Sequence, residues 1–253
     1  MSSLWTESGR LNDVQAKRRL ESRDDGKTQT VPVRAGMSSK PKEFVLPEWF
    51  FLGVRVPLKV LWRALFKLQF KHTENIPETG GGLIIAANHQ TYIDPFWLSI
   101  PIRRPLRFLA WDAAFTWPVV GKFIQFFGAW PLALEGSDPR AIRRTLQWLR
   151  EGGAVVIFPE GGRGDPSGKM FRFKGGAVRL ALETGVPILP VTIRGAHRVW
   201  PLGQKIPRLA SVEITYHPVF TVQQLPGEET RKCARRESDR LSAVIATALE
   251  SAE

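Results

Sequence analysis

The sequence predicts an α/β fold built as one domain, and two observations carry that prediction. Apolar runs of strand length alternate with stretches whose apolar residues recur at helical spacing. The strand-like runs are Leu83 to Ala87, Leu106 to Trp111, Ala154 to Phe158, Val186 to Ile193 and Val212 to Val219. The second observation is size: 253 residues with 43% hydrophobic content bury one sizeable core and leave little room for a second domain.

Residues 1–44 are polar, mixed in charge and poor in apolar periodicity, which predicts a disordered tail. Nothing in them has the apolar core of a signal peptide, so export by that route is not expected. Met37-Ser38-Ser39 repeats Met1-Ser2-Ser3 and marks a second candidate start of translation. Residues 45–72 read as an amphipathic helix lying in a membrane interface. Arg55, Lys59, Arg63, Lys67 and Lys71 recur at every fourth position, so successive cations advance about 40° and wind slowly as a stripe. The residues between them are mostly apolar, with Trp49, Phe50 and Phe51 ahead. A spanning helix would carry those cations through hydrocarbon at about 2.5–3.5 kcal/mol each near its centre. An in-plane helix, kinked at Pro57, lets them reach anionic head groups instead. The plainer alternative is a helix packed on the protein's own core.

Residues 73–253 hold the other elements. After a turn-rich stretch from Thr73 to Thr79, the Leu83 strand delivers the chain to Asn88-His89-Gln90-Thr91-Tyr92-Ile93-Asp94-Pro95. Asp94 as a cap and Pro95 at the first helical position open a short helix through Ile100. Phe115 to Phe127 reads as an apolar helical segment. Asp138-Pro139 opens a helix with Ile142, Leu146 and Leu149 inward and Arg140, Arg143, Arg144 and Arg150 on a solvated face, ending at Gly152-Gly153. The next strand empties into Pro159-Glu160-Gly161-Gly162-Arg163. Phe173-Lys174-Gly175 begins a helix through Thr184, closed at Gly185. The prolines of Val186 to Ile193 place that strand at an edge or at a strand start. Val212 to Val219 is the last strand, and Glu228 to Glu250 a closing amphipathic helix.

The chemistry centres on His89 and Asp94. On a continuous helix residues five apart lie about 140° apart around the axis, so these two meet only where the chain bends. Strand, polar bend, then helix cap is the order present. In that geometry the carboxylate orients the imidazole and leaves the other ring nitrogen to take a proton from a hydroxyl. No Ser or Cys sits at a nucleophile position. The structural alternative is a His at a strand end followed by a capping Asp. Lys174, at a helix start, is a candidate anion site. Gly161 to Lys169 is glycine-rich but lacks P-loop spacing, because Arg163 stands five before Gly168 and Met170 follows Lys169. His197 and His217 have no acidic residue at a diagnostic spacing. The single Cys233 excludes an intrachain disulfide and a cysteine-based metal site.

Asn88-His89 through Asp94, then Phe158-Pro159-Glu160-Gly161 with Arg163, then Val186-Pro187-Ile188-Leu189-Pro190-Val191, resemble the glycerolipid acyltransferase family in order and in separation, over about Thr73 to Val219. The 1-acyl-sn-glycerol-3-phosphate acyltransferases are among its members. The resemblance implies a single mixed-sheet catalytic domain flanked by helices. It implies transfer of a fatty acyl group from acyl-CoA or acyl carrier protein (acyl-ACP) to the free hydroxyl of a lysophospholipid, above all 1-acyl-sn-glycerol-3-phosphate, giving phosphatidic acid. His89 and Asp94 take the catalytic positions and Asn88 holds their loop. Glu160 and Gly161 fall where the acceptor is bound, Arg163 where its phosphate is held, and Lys174 is expected to assist with phosphate of acceptor or carrier. No metal or cofactor is expected beyond the donor, because a thioester is already activated. The aromatic stripe Trp117, Phe123, Phe126 and Phe127 is either core or the lining of an acyl-chain tunnel.

Two departures bear on the acceptor. Leu134 stands where the family has a phosphate-binding arginine, so either Arg163, Arg143 or Arg144 substitutes or the acceptor is another lysolipid or lyso-aminolipid. Gly162 and Gly164 replace the usual Thr and Ser, which removes two hydroxyl ligands and predicts a looser loop. A non-catalytic membrane-binding relative is the remaining alternative.

A net charge of +12 and a pI near 10.3 call for a polyanionic partner, nucleic acid or an anionic membrane surface. Nine tryptophans favour the bilayer interface, and no nucleic-acid reader module is present. The expectation is a peripheral or monotopic protein on the cytoplasmic face of a membrane, with a lysophospholipid and acyl-CoA or acyl carrier protein as its other partners and no nucleic acid.

Overall fold

The computed structural model describes residues 60–251, apart from 79, 119, 134–137, 202–203 and 205, together with 53 and 57. The expected tail at 1–44, residues 45–52, 54–56 and 58–59 of the expected helix at 45–72, and Leu134 lie outside the described residues. Seven strands form one sheet: β1 Gln69–Lys71, β2 Leu83–Ala87, β3 Leu106–Trp111, β4 Ala129–Leu132, β5 Ala154–Ile157, β6 Ile188–Arg194 and β7 Glu213–Tyr216, in the order β1-β7-β6-β2-β5-β3-β4. From β4 to β6 five neighbours run parallel; β7 is antiparallel to β6, and β1 is parallel to β7. The sheet is therefore mixed. The helices are α1 Asp94–Ser99, α2 Val120–Phe126, α3 Pro139–Arg150, α4 Gly176–Thr184, α5 Ala196–Val199 and α6 Thr230–Glu250.

β2 sits at the centre, covered on both faces, which is why it reads as a continuous apolar run without alternation. Leu83, Ile85 and Ala87 pack with Trp97 and Leu98 of α1, whereas Ile84 and Ala86 pack with Leu149, Val178, Ala181 and Leu241 from α3, α4 and α6. Each of these buried Leu or Ile side chains stabilises the fold by about 1.5–3 kcal/mol. α3 starts where Asp138 accepts hydrogen bonds from the amides of Arg140 and Ala141, with Pro139 at the first position. Of its arginines, Arg144 lies over the Trp130 ring at 4.0 Å.

Several elements differ from expectation, each for a physical reason. The helix described over 60–66 stops before Lys67, whose φ is +44°, and the expected last turn through Lys71 is instead β1. Leu68 is buried in the core, and Lys71 pairs with Glu213 at 2.6 Å, so neither continues a helical stripe. The apolar segment 115–127 is split. Trp117, preceding Pro118, is extended at φ −75°, ψ 124°, as a residue before proline prefers; a 3₁₀ turn at Asp112–Thr116 lies before it and α2 after. Trp117 and Phe123 are exposed rather than buried in the core. β6 is interior, between β2 and β7, despite its prolines: its side chains are buried from Ile188 to Ile193, and Pro190 serves the ladder through its carbonyl, which accepts from the His217 amide at 3.0 Å. α4 begins at Gly176, after Lys174 rather than at it.

Candidate active site

The loops that leave β2 and β5 emerge at the carboxyl ends of neighbouring parallel strands, where open α/β sheets form their crevices. The first loop brings His89 and Asp94 together. Nδ1 of His89 lies 3.0 Å from Oδ2 of Asp94, and Asp94 is fully buried while the His89 side chain keeps 17% of its surface exposed. Asp94 does not cap α1 in the expected manner. Its carboxylate points back along the chain: Oδ2 accepts from the amides of Gln90 and Thr91 at 2.6 and 2.7 Å, and Oδ1 from the Thr91 hydroxyl at 2.6 Å. An ionised carboxylate only accepts, so the proton of this pair sits on Nδ1 and Nε2 carries the lone pair. Nε2 has no hydrogen-bond partner among the described residues and is open to solvent. The Phe158 ring stacks on the imidazole with centroids 4.0 Å apart and planes 22° apart, fixing its tilt.

Asn88 anchors the loop to β6 by a reciprocal pair, its amide donating to the Ile193 carbonyl at 2.8 Å and accepting from the Ile193 amide at 2.7 Å. Glu160 anchors it to the second loop. Oε1 accepts from the His89 amide at 2.7 Å and Oε2 from the Phe171 amide at 2.6 Å, so both oxygens meet backbone within the protein. Burial pushes the Glu160 carboxyl up from its ordinary range; the Phe171 and His89 amides oppose that shift. The ion pair with Arg163 across the turn, the simplest alternative for these residues, is not formed. Gly164 is not a loosening substitution either. Its amide donates to the His89 carbonyl at 2.6 Å, and a Cβ there would stand 2.9 Å from the Lys169 carbonyl and 3.3 Å from Glu160 Oε2. Glycine permits the close approach that locks the two loops together.

Arg163 reaches the first loop through Tyr92: Nη2 donates to the Tyr92 hydroxyl at 2.9 Å, and the guanidinium carbon lies 3.8 Å from the ring centroid. Gly161 turns the chain at φ +71°, and the Lys174 side chain lies against the face where a Cβ would stand. The Lys174 amide donates to the Pro159 carbonyl at 2.8 Å, tying this lysine to the Glu160 turn. The structure thus joins Asn88, His89, Asp94 and Glu160 directly, brings Arg163 to their loop, and attaches Gly161 and Lys174 to the second loop. Sequence reasoning missed Thr91, Tyr92 and Phe158 as partners. Thr91 carries the signal of an ST turn, its hydroxyl accepting from the Ile93 amide at 3.2 Å; the two rings carry no comparable signal. His217 pairs with the Thr192 hydroxyl at 2.8 Å, and burial lowers its pKa and that of His197.

The family profile described as Acyltransferase matches residues 67–194, half of the chain, and the chain belongs to that family. It is 30% identical over 182 residues to the 1-acyl-sn-glycerol-3-phosphate acyltransferase of Borreliella burgdorferi, covering 71% of this chain and 72% of that one. It is 29% identical over 154 residues to chloroplastic 1-acyl-sn-glycerol-3-phosphate acyltransferases of Brassica napus and Arabidopsis thaliana, covering 57% of this chain and 44% and 42% of theirs. The chain therefore spans less than half the length of these two plant relatives. Among solved structures it is similar to the 1-acyl-sn-glycerophosphate (LPA) acyltransferase PlsC of Thermotoga maritima, with a TM-score of 0.60 and 25% identity over 81% of this chain and 78% of that one.

Proposed function

We propose that the protein is an O-acyltransferase that moves a fatty acyl group from acyl-CoA or acyl carrier protein to the hydroxyl of a lysophospholipid, above all 1-acyl-sn-glycerol-3-phosphate, forming phosphatidic acid. The observation that carries this reading is the His89–Asp94 pair, held at 3.0 Å by a buried carboxylate that is itself bound by two amides and a hydroxyl. Nε2 of His89 takes the acceptor hydroxyl's proton as its oxygen forms a bond to the thioester carbonyl carbon. The resulting tetrahedral oxyanion collapses, the C–S bond breaks, and the departing thiolate receives that proton from His89. Asp94 stabilises the imidazolium between the two steps. The enzyme forms no covalent intermediate, since the donor is already activated and, among the described residues, no Ser or Cys stands beside His89.

Arg163, anchored to the catalytic loop, is the cation for the acceptor's phosphate, with Lys174 as a second on the adjoining turn. Exposed Val60, Leu61 and Leu65, and exposed Trp111, Trp117 and Phe123, support attachment to a bilayer surface from which a lipid acceptor enters. Among the described residues no helix is long and apolar enough to cross a membrane, which suits a peripheral or monotopic mode.

The test is thiol release from an acyl-CoA by purified protein on anionic liposomes with lysophosphatidic acid as acceptor. Release depends on the acceptor, and His89→Ala lowers turnover by about a hundredfold or more, the contribution of a general base. Near-normal turnover in that variant ends this account. Leu134 favours a second reading, an acceptor without a phosphate monoester, and release with other lysolipids alone would select it.

A further inference from the structure

Tyr92 has no part in the proton transfer, yet it joins the catalytic loop to Arg163. It lies three residues after His89 and two before Asp94. Its hydroxyl accepts from Arg163 and its ring supports the guanidinium from below, so a single side chain holds the cation in two ways. The ring is itself supported. Trp200 meets it edge-on with centroids 6.0 Å apart and planes at 76°, and the Trp200 indole is fixed by donating to the Gln204 carbonyl at 2.8 Å. Despite this packing Tyr92 is 49% exposed, so it serves little as core.

The chemistry of the partner matters. A carboxylate would hold Arg163 equally well, but it would cancel the charge and compete with an anionic ligand for the guanidinium fork. Among the described residues Arg163 makes no ion pair. An aromatic face and a neutral hydroxyl position the cation while leaving its charge and most of its five N–H donors for a ligand. Because Tyr92 and His89 lie on one short loop, pinned at Asn88, Asp94 and Glu160, the separation between base and cation is set by the loop rather than by the reach of a long side chain.

We propose that Tyr92 is a positioning residue of the acceptor site: it holds Arg163 at a fixed separation from His89, so that the phosphate monoester of the acceptor is clamped while its hydroxyl meets Nε2. The assignment rests on the acyl-transfer reading and gives its acceptor site a part that tells phosphate-bearing lysolipids from neutral ones. With Leu134 at the usual arginine position, this anchored cation carries more of that discrimination.

The experiment compares wild type, Tyr92→Phe and Tyr92→Leu with short-chain lysophosphatidic acid below its micelle concentration and with monoacylglycerol as the neutral acceptor. Dissociation constants for the same lysophosphatidic acid are read separately by equilibrium dialysis. Tyr92→Phe keeps the ring and loses one hydrogen bond, raising KM and Kd for lysophosphatidic acid about threefold. Tyr92→Leu loses the ring as well, raising both about tenfold or more. In both variants kcat changes by less than about twofold, because the base and its orienter are intact. KM for monoacylglycerol moves by less than about twofold, since no phosphate is bound. Unchanged Kd for lysophosphatidic acid, equal losses with the two acceptors, or a fall in kcat with KM unmoved would overturn the assignment. Graded Kd shifts in a protein that turns over neither acceptor would leave Tyr92's role standing and remove the acyl-transfer reading.

Discussion

Asp94 uses both carboxylate oxygens within six residues of chain, on one imidazole, two amides and one hydroxyl. Asparagine has the same shape but only one acceptor oxygen, so in Asp94→Asn the NH₂ group takes either the Oδ1 place, facing the Thr91 hydroxyl alone, or the Oδ2 place, facing the two amides and the imidazole together. In the first case the Thr91 hydroxyl turns to accept and His89 keeps its tautomer, but the charge that stabilises the imidazolium is lost; in the second a buried donor is left opposite donors, at about 1–3 kcal/mol, and His89 is driven to the wrong tautomer, a change that costs about ten-thousandfold in a serine protease triad. The expected outcome is a kcat at least about a hundredfold below wild type together with a lower Tm. Steady-state kinetics and calorimetry check it, and a kcat within tenfold of wild type would contradict the assigned roles. At this scale the His89–Asp94 pair was legible through the family resemblance, with the five-residue spacing across a strand-to-helix bend consistent with it but weak alone. The engagement of Glu160 was not. Its partners are the amides of residue 89 and residue 171, and a backbone donor has no letter in the sequence.

Glu160 belongs to the next scale, because it joins the loop after β2 to the turn after β5 and to the chain at Phe171. Glu160→Gln retains one acceptor and turns an NH₂ toward the other amide, so one loop is released from the other. With His89's own backbone set free, kcat falls by about tenfold or more while the acceptor KM moves little. A raised KM with kcat preserved would instead return Glu160 to direct contact with the acceptor. Elements followed the sequence wherever one local signal ruled. The buried run of β2, the Asp138-Pro139 start of α3 and the Gly185 end of α4, at φ +72°, are such cases. They departed where tertiary structure outweighed a local pattern. Four-residue spacing of cations suggested a helix through Lys71, but β7 offered Gln69–Lys71 a ladder and the core took Leu68. The prolines of β6 suggested an edge or a strand start; Pro187 does stand just before the strand, but the strand itself, apolar on both faces, is accommodated inside the sheet.

For the whole molecule, the ion pair that ties the 223–228 loop to α6 is one contributor to stability against acid. Arg236 meets Glu228 with two hydrogen bonds, at 2.9 and 2.8 Å, and donates to the Gln223 carbonyl at 2.7 Å. That pairing lowers the Glu228 carboxyl from 4.5 to about 2. Between those values the unfolded chain binds a proton that the native chain does not, so stability conferred above 4.5 is lost as pH falls toward 2. In urea titrations Glu228→Gln is expected to be less stable than wild type at pH 6, with the gap narrowing as pH falls through this window. A gap that is constant with pH would show that the pair contributes by shape alone. Composition had indicated one core and a polyanionic partner, and the single sheet accords with the first. It could not place the reversed pair β7 and β1, because strand direction follows from connections that composition does not encode.

The proposed catalytic pair, His89 and Asp94, is assembled within a single stretch from Asn88 to Asp94, whereas the cations and glycines that would meet the acceptor lie on the turn from Gly161 to Lys174. Heritable change in the second stretch can therefore accumulate without disturbing the first, provided that Glu160 and the close approach at Gly164 persist. Descent with a constant reaction and a drifting choice of lipid is what such a division permits.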